Sequence, residues 1–133
     1  MDFEIKSEKE YRIVFSDRSY DKKGWLTHYT VGLFSPHING IVRVDNSPYG
    51  QSPLTLFKSM EREWKGWEGE KSWGSLEGEF DLSAVSDRKG HITLKTRIHS
   101  GHYLPSSSLM TELIVESGQL DYIASKAEEF FKC

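Results

Sequence analysis

Hydrophobic side chains return at every second position on both sides of Asp87-Arg88-Lys89-Gly90. Before that tetrapeptide, Leu76, Phe80, Leu82 and Ala84 take one face and Glu77, Glu79 and Asp81 the other. After it, Ile92, Leu94 and Ile98 lie opposite His91, Thr93, Lys95 and Arg97. Successive side chains of a strand leave on opposite faces, and a slip of one residue would expose the whole apolar set. The segment therefore predicts an antiparallel hairpin with one buried face. A chain that contains it is committed to a sheet needing an apolar cover.

The same period runs through the N-terminal half. Phe3 and Ile5 alternate with polar neighbours, as do Tyr11, Ile13 and Phe15; Ser16 to Gly24 reads as a polar turn. Trp25 to Phe34 resumes with Tyr29, Val31 and Leu33 on one face, and Gly40 to Val44 follows with Val42 and Val44. The period changes at Ser52-Pro53, a serine able to cap free amides before a proline suited to the first helical position. From there Leu54, Phe57, Met60, Trp64 and Trp67 recur at three or four residues, a helical stripe that Gly66 and Gly69 end. A strand around Met110 to Val115 comes next. Leu120, Ile123, Ala124, Ala127, Phe130 and Phe131 then form the clearest helical stripe in the chain. Four strands, a helix, three strands and a helix predict an α+β domain: a single antiparallel sheet of about six to seven strands with both helices packed on one face.

A chain of 133 residues suits one domain spanning 1–133, with enough core to fold without a metal or a disulfide. Seventeen basic against twenty acidic residues leave a net charge of −3, which argues against nucleic acid as a partner. The one cysteine, Cys133, cannot form an internal bridge, as expected of a reducing compartment. The N-terminus lacks a basic start followed by an apolar run, and no stretch of about 18 apolar residues occurs. The chain thus reads as soluble and cytoplasmic, with no membrane partner.

Signatures of chemistry are weak. There is no phosphate-cradling loop, and the glycines between 66 and 78 alternate with glutamates that would repel phosphate. His99 and His102 form an H-x-x-H pair in a serine-rich loop without further ligands, whereas a metal needs three or four. Cys133 lies at a chain end, where segments fray. Glu77, Glu79 and Asp81 could serve as an acid and base pair only against an apolar wall. The expectation is a protein that is not an enzyme and carries no cofactor or metal.

What stands out is a surface property. Residues 61 to 81 hold seven acids and three bases, a net −4, while the rest of the chain is +1. Trp64, Trp67 and Trp73 fall in the same stretch, so negative charge and aromatic anchors coincide, the ingredients of a steered protein interface. Trp64 and Trp67 also fit the core stripe of the helix, whereas Trp73 lies in a connection and is the better candidate for an exposed ring.

Trp67-Glu68-Gly69, Trp73, Leu76-Glu77-Gly78-Glu79, Gly90-His91-Ile92 with Leu94, and Gly118-Gln119-Leu120-Asp121 resemble a family of small, uncharacterised bacterial domains of unknown function. These motifs span about half the chain. More loosely, the order of elements is similar to small immunity proteins of polymorphic or contact-dependent toxin systems. That resemblance implies a cytoplasmic protein that binds a cognate toxin, such as a basic nuclease, and blocks it. On this reading Glu68, Glu70, Glu77 and Glu79 guide the encounter, Trp67 and Trp73 supply contact area, and His99, His102 and Tyr103 supply specificity. An alternative is a small-ligand or hydrolytic domain with Glu77, Glu79, His91 and His99 in a cleft between sheet and helix. A third is self-association through exposed aromatic residues, so the choice between monomer and dimer stays open.

Overall fold

Two consecutive units of four strands and a helix make up the chain. The computed structural model describes residues 1–46, 52–101 and 103–132. The first unit comprises β1 (Phe3–Lys6), β2 (Arg12–Tyr20), β3 (Leu26–Phe34), β4 (Asn39–Asp45) and α1 (Leu54–Arg62). The second comprises β5 (Glu70–Gly74), β6 (Phe80–Ser86), β7 (His91–His99), β8 (Ser108–Glu116) and α2 (Leu120–Phe131). Each set of strands is an antiparallel meander, ordered β1-β2-β3-β4 and β5-β6-β7-β8.

This corrects the expected single sheet of six to seven strands with two helices on one face. The strand missing from the sequence reading is β5. Its inward residues are Lys71 and Trp73, opposite Ala84 and Leu82, so the alternation is hidden by a lysine. The Lys71 ammonium reaches out of the sheet to the Ser59 hydroxyl at 2.7 Å and to the Glu63 carboxylate, both on the α1 side. With β5 added, residues 70–116 close into a meander of their own, and neither sheet extends the other.

Two other expectations change. Ser16 to Gly24 is not all turn: β2 continues to Tyr20 through an irregular register beyond Ser16. Leu76, expected inward, is 69% exposed in the turn before β6.

The inner faces of the two sheets and the helices share one core. Phe15 of β2 stacks on Phe3 at 5.0 Å and meets Phe57 of α1, Phe80 of β6, and Phe130 and Phe131 of α2. All six apolar positions of the predicted α2 stripe are buried. Burial of that face against α1 and the first sheet is what stabilises a helix too short to persist alone. α1 begins one residue later than expected, with Pro53 flanking it and Leu54 its first residue, and the Ser52 hydroxyl accepts the Leu54 amide at 3.3 Å.

β8 runs across the ends of the first sheet's strands. Near its start, Leu109 approaches so closely that a Cβ on Gly40 of β4 would stand 3.1 Å from its side chain. Near its end, the Ile114 carbonyl accepts the Ser7 hydroxyl at 2.6 Å and the Ile114 amide donates to the same oxygen at 3.1 Å.

Candidate functional site

Much of the acidic segment is exposed, but its exposed aromatic residue is not the expected one. α1 ends at Arg62, so Trp64 and Trp67 do not share a helical face. The chain turns at Gly66, whose φ of +124° lies in the region that favours glycine, and where a Cβ would stand 3.0 Å from both Ser86 Oγ and Arg88 Cγ. Beyond that turn Trp67 enters the core. It is 6% exposed, its indole N–H donates to the Ala84 carbonyl at 3.2 Å, and the Lys71 ammonium sits 5.2 Å from the ring centre. Trp67 is therefore a core residue and no docking ring. Trp64 is 56% exposed instead. Trp73 is half-buried on the inner face of β5, edge-on to Phe80 at 5.7 Å.

Of the four expected guiding carboxylates, three face solvent. Glu68 is exposed, 3.8 Å from Arg88; Glu70 lies on the outer face at the start of β5; Glu77 is exposed in the turn after it. Glu79 is turned inward. One carboxylate oxygen accepts the Asp45 amide at 2.9 Å and the other the Ser75 hydroxyl at 2.7 Å. Asp81 is paired with Arg97, at 2.7 Å from Nε. Burial, and after it the Glu79 charge, holds the Tyr29 phenol well above its ordinary value, so that ring stays neutral. Its hydroxyl has no hydrogen-bond partner among the described residues.

The cleft that would join Glu77, Glu79, His91 and His99 is not assembled. Glu79 and His99 are neighbours, the His99 amide donating to the Glu79 carbonyl at 2.9 Å. His91 sits at the other end of β7, roughly 26 Å away at about 3.3 Å per residue. In the loop after β7, the His99 Nδ1 accepts the Gly101 amide at 3.0 Å, and Tyr103 and Leu104 are each 90% exposed. His102 lies outside the described residues, as does Cys133. No group of three or more potential ligands able to hold a metal occurs among the described residues, and no helix among them is long and apolar enough to cross a membrane.

A second feature escaped the sequence reading. A groove of about 540 Å³ opens where β8 crosses β1, with Ser7, Glu8, Tyr11, His91, Glu112 and Glu116 on its walls. His91 Nδ1 is 2.8 Å from the Asp87 carboxylate and Nε2 is 3.6 Å from that of Glu116. These two acids, Asp87 chiefly through its hydrogen bond, raise the imidazole above its ordinary value. Asp87 is held below the usual carboxylate range, first by the Lys89 amide and then by the amide and ring of His91. The groove combines residues as far apart in the chain as Ser7 and Glu116, so no local motif announces it.

None of the curated proteins compared with the chain matches it. A solved structure described as that of the plant transcriptional regulator PBF-2 is similar at 10% identity and a TM-score of 0.46, over 98% of this chain and 79% of its own. A score that low carries no argument. A family model does match over residues 4–133, the N-terminal strands included, well beyond the half of the chain that holds the tryptophan and glycine motifs. The chain therefore belongs to DUF6228, a family of unknown function.

Proposed function

We propose that the domain works by contact, as a non-catalytic protein that binds and neutralises a basic toxin of the nuclease type. The observation that carries this reading is that Glu68, Glu70 and Glu77 are exposed just before, at the start of and just after the edge strand β5, and that Trp64 and Leu76 are exposed in the same stretch of chain. Exposed carboxylates in and around this edge strand offer a basic partner negative charge of the kind that nucleic acid carries, and they speed encounter over long range. Trp64 and Leu76 then supply the apolar contact that slows dissociation. Trp67 and Glu79 have no part in it, since both are committed to the fold.

The test is binding kinetics against a basic nuclease toxin domain, taken first from the product of a neighbouring gene, with Glu70→Lys and Glu77→Lys combined. The expected result is an association rate lowered by about tenfold or more and a flatter dependence on salt. An unchanged rate with unchanged salt dependence would remove the electrostatic surface, and absence of binding by the native chain would remove the reading itself.

A further inference from the structure

We infer that a basic partner docks by adding an extended segment to the free edge of β5, bonded to the main chain of Ser72 and Gly74. Strand addition of this kind rests on the reading of Glu68, Glu70 and Glu77 as a surface for a basic protein, and it sets the geometry of that contact.

In an antiparallel pair, main-chain groups point alternately toward the neighbour and away. The Ser75 amide donates to the Phe80 carbonyl at 2.9 Å, and the register with β6 runs unbroken from Glu70 opposite Val85 to Gly74 opposite Asp81. Counted back from Ser75, Trp73 and Lys71 face β6, so the amides and carbonyls of Glu70, Ser72 and Gly74 face outward. Among the described residues, nothing bonds the amides of Ser72 and Gly74. Gly74 is exposed, and since glycine has no side chain, that exposure belongs to its main chain. The other three edge strands are each tied elsewhere in the chain. The Glu79 carboxylate accepts the Asp45 amide of β4, the Gln119 side chain donates to the Lys6 carbonyl of β1, and the Ser7 hydroxyl bonds both main-chain groups of Ile114 in β8.

The side chains of β5 leave this edge clear. Lys71 and Trp73 turn inward, to α1 and to Phe80. A segment paired with Ser72 sends the facing side chain to the outer face of the sheet. There Ser72, Gly74 and Ser83 form the low part of a depression of about 460 Å³ that Asp81, Arg97 and Met110 border. Peptides that extend a sheet take affinity from main-chain bonds and specificity from alternate side chains, and this edge offers both.

Charge selects the occupant. Glu68, Glu70 and Glu77 are exposed from just before the strand to just after it, and the one lysine between them is engaged with Ser59 and Glu63. Two β5 strands of separate copies, paired about Ser72, would gather the carboxylates of both at one seam, and like charges across a strand pair are destabilising. The acids thus deter a second copy, a usual protection of edges, and favour a strand that carries lysine or arginine.

The probe is a fluorescent decapeptide of alternating lysine and threonine, set beside the same peptide N-methylated throughout, which keeps the charge and removes every main-chain donor. The native full chain is expected to bind the first about tenfold or more tightly than the second, as the loss of main-chain bonds requires. Amide exchange at Ser72 and Gly74, followed by NMR, is expected to slow when the first peptide binds. Ser72→Pro deletes one outward donor at a place where an edge strand tolerates proline, and leaves every charge; it is expected to weaken binding about tenfold, whereas Ser72→Ala behaves as native. Equal binding of the two peptides, or binding without slowed exchange at Ser72 and Gly74, overturns strand addition and leaves the acidic surface standing. Failure of the native chain to bind either peptide overturns it as well. Strand addition by a chain that binds no basic nuclease domain would uphold the edge and remove the toxin reading alone. Should Ser72→Pro fail to fold, the two peptides on the native chain decide.

Discussion

The Glu79 carboxylate accepts the Asp45 amide at 2.9 Å, which fastens the last residue of β4 to the turn that opens β6. Its second oxygen takes the Ser75 hydroxyl, whose oxygen in turn accepts the Phe80 amide at 3.1 Å. One side chain thus joins the two sheets and closes the turn before β6. Hydrogen bonds to a charged group contribute about 1.5 to 3 kcal/mol, and removing one partner leaves the other unsatisfied. Glu79→Ala is expected to lower stability by about 2 kcal/mol, seen as a lower urea midpoint at unchanged slope. If the acidic surface docks a basic partner, the association rate should be kept in this variant. A loss of binding without a loss of stability would return Glu79 to the docking surface.

Gly32 lies two residues before the end of β3, with the Phe34 ring across it. A Cβ there would stand 2.4 Å from Phe34 Cε2 and 3.3 Å from Ile41 Cγ2. The ring also carries the Arg12 guanidinium at 4.6 Å from its centre. Gly32→Ala must therefore expel the ring from the sheet's outer face and break the stack on Arg12. Overpacking of this kind costs about 1 to 3 kcal/mol. Thermal unfolding is expected a few degrees below native, and Gly32→Ala combined with Phe34→Ala should recover part of the loss, because the clash disappears with the ring.

The ring of His91 is bonded to Asp87 and faces Glu116, and its folded-state value is raised above 6.5. A raised value means that the charged ring's contacts contribute fully below the unfolded value near 6.5. They fade as pH rises through the folded value. Asp87 works in the opposite sense: its value is lowered from 3.8, so its contribution is present above 3.8 and is lost as pH falls through the lowered value. Proton NMR of the His91 ring should give a midpoint above 6.5 that moves down in Asp87→Asn. Stability should decline with rising pH from about 6.5, and His91→Gln should remove that part of the slope. A midpoint at or below 6.5 in the native chain would show that the bond to Asp87 is not kept in solution.

The elements best read from the sequence are those whose pattern is set by a single neighbour. Phe80, Leu82, Ala84, Ile92, Leu94 and Ile98 are all buried as expected, because one hairpin turn fixes their register. The α2 stripe holds because the 3.6-residue period turns one face inward whatever elements pack on it. Alternation tells which face of a strand is covered and is the same whether strands join one sheet or two, so the division into two meanders could not be seen in it. Strand β5 stayed hidden because Lys71, facing inward, finds Ser59 and Glu63 at the rim rather than apolar company. In the candidate surface, the exposure of Glu68, Glu70 and Glu77 followed from their charge. The tryptophans did not follow, because Trp64 and Trp67 are sorted by where α1 stops, and helix ends are set by tertiary packing as much as by glycine.

Trp64 and Trp67 lie three residues apart and make opposite predictions. Trp67 is 6% exposed and spends its indole N–H on Ala84 of β6. Trp67→Ala is expected to cost about 3 to 5 kcal/mol, from the cavity and the lost transfer energy together. Trp67→Phe should cost less, since it keeps most of the volume and loses the bond. Trp64 is 56% exposed, with the Lys65 ammonium 5.5 Å from its ring. Trp64→Ala is expected to change stability by no more than about 0.5 kcal/mol. If the acidic surface docks a partner, the same substitution should raise its dissociation rate by about tenfold or more, as truncation of an interface tryptophan does. The two variants measured side by side, by denaturant midpoint and by dissociation rate, therefore separate core from surface. A Trp64→Ala chain that keeps both native stability and native dissociation would take the indole out of the interface and leave the carboxylates to carry it.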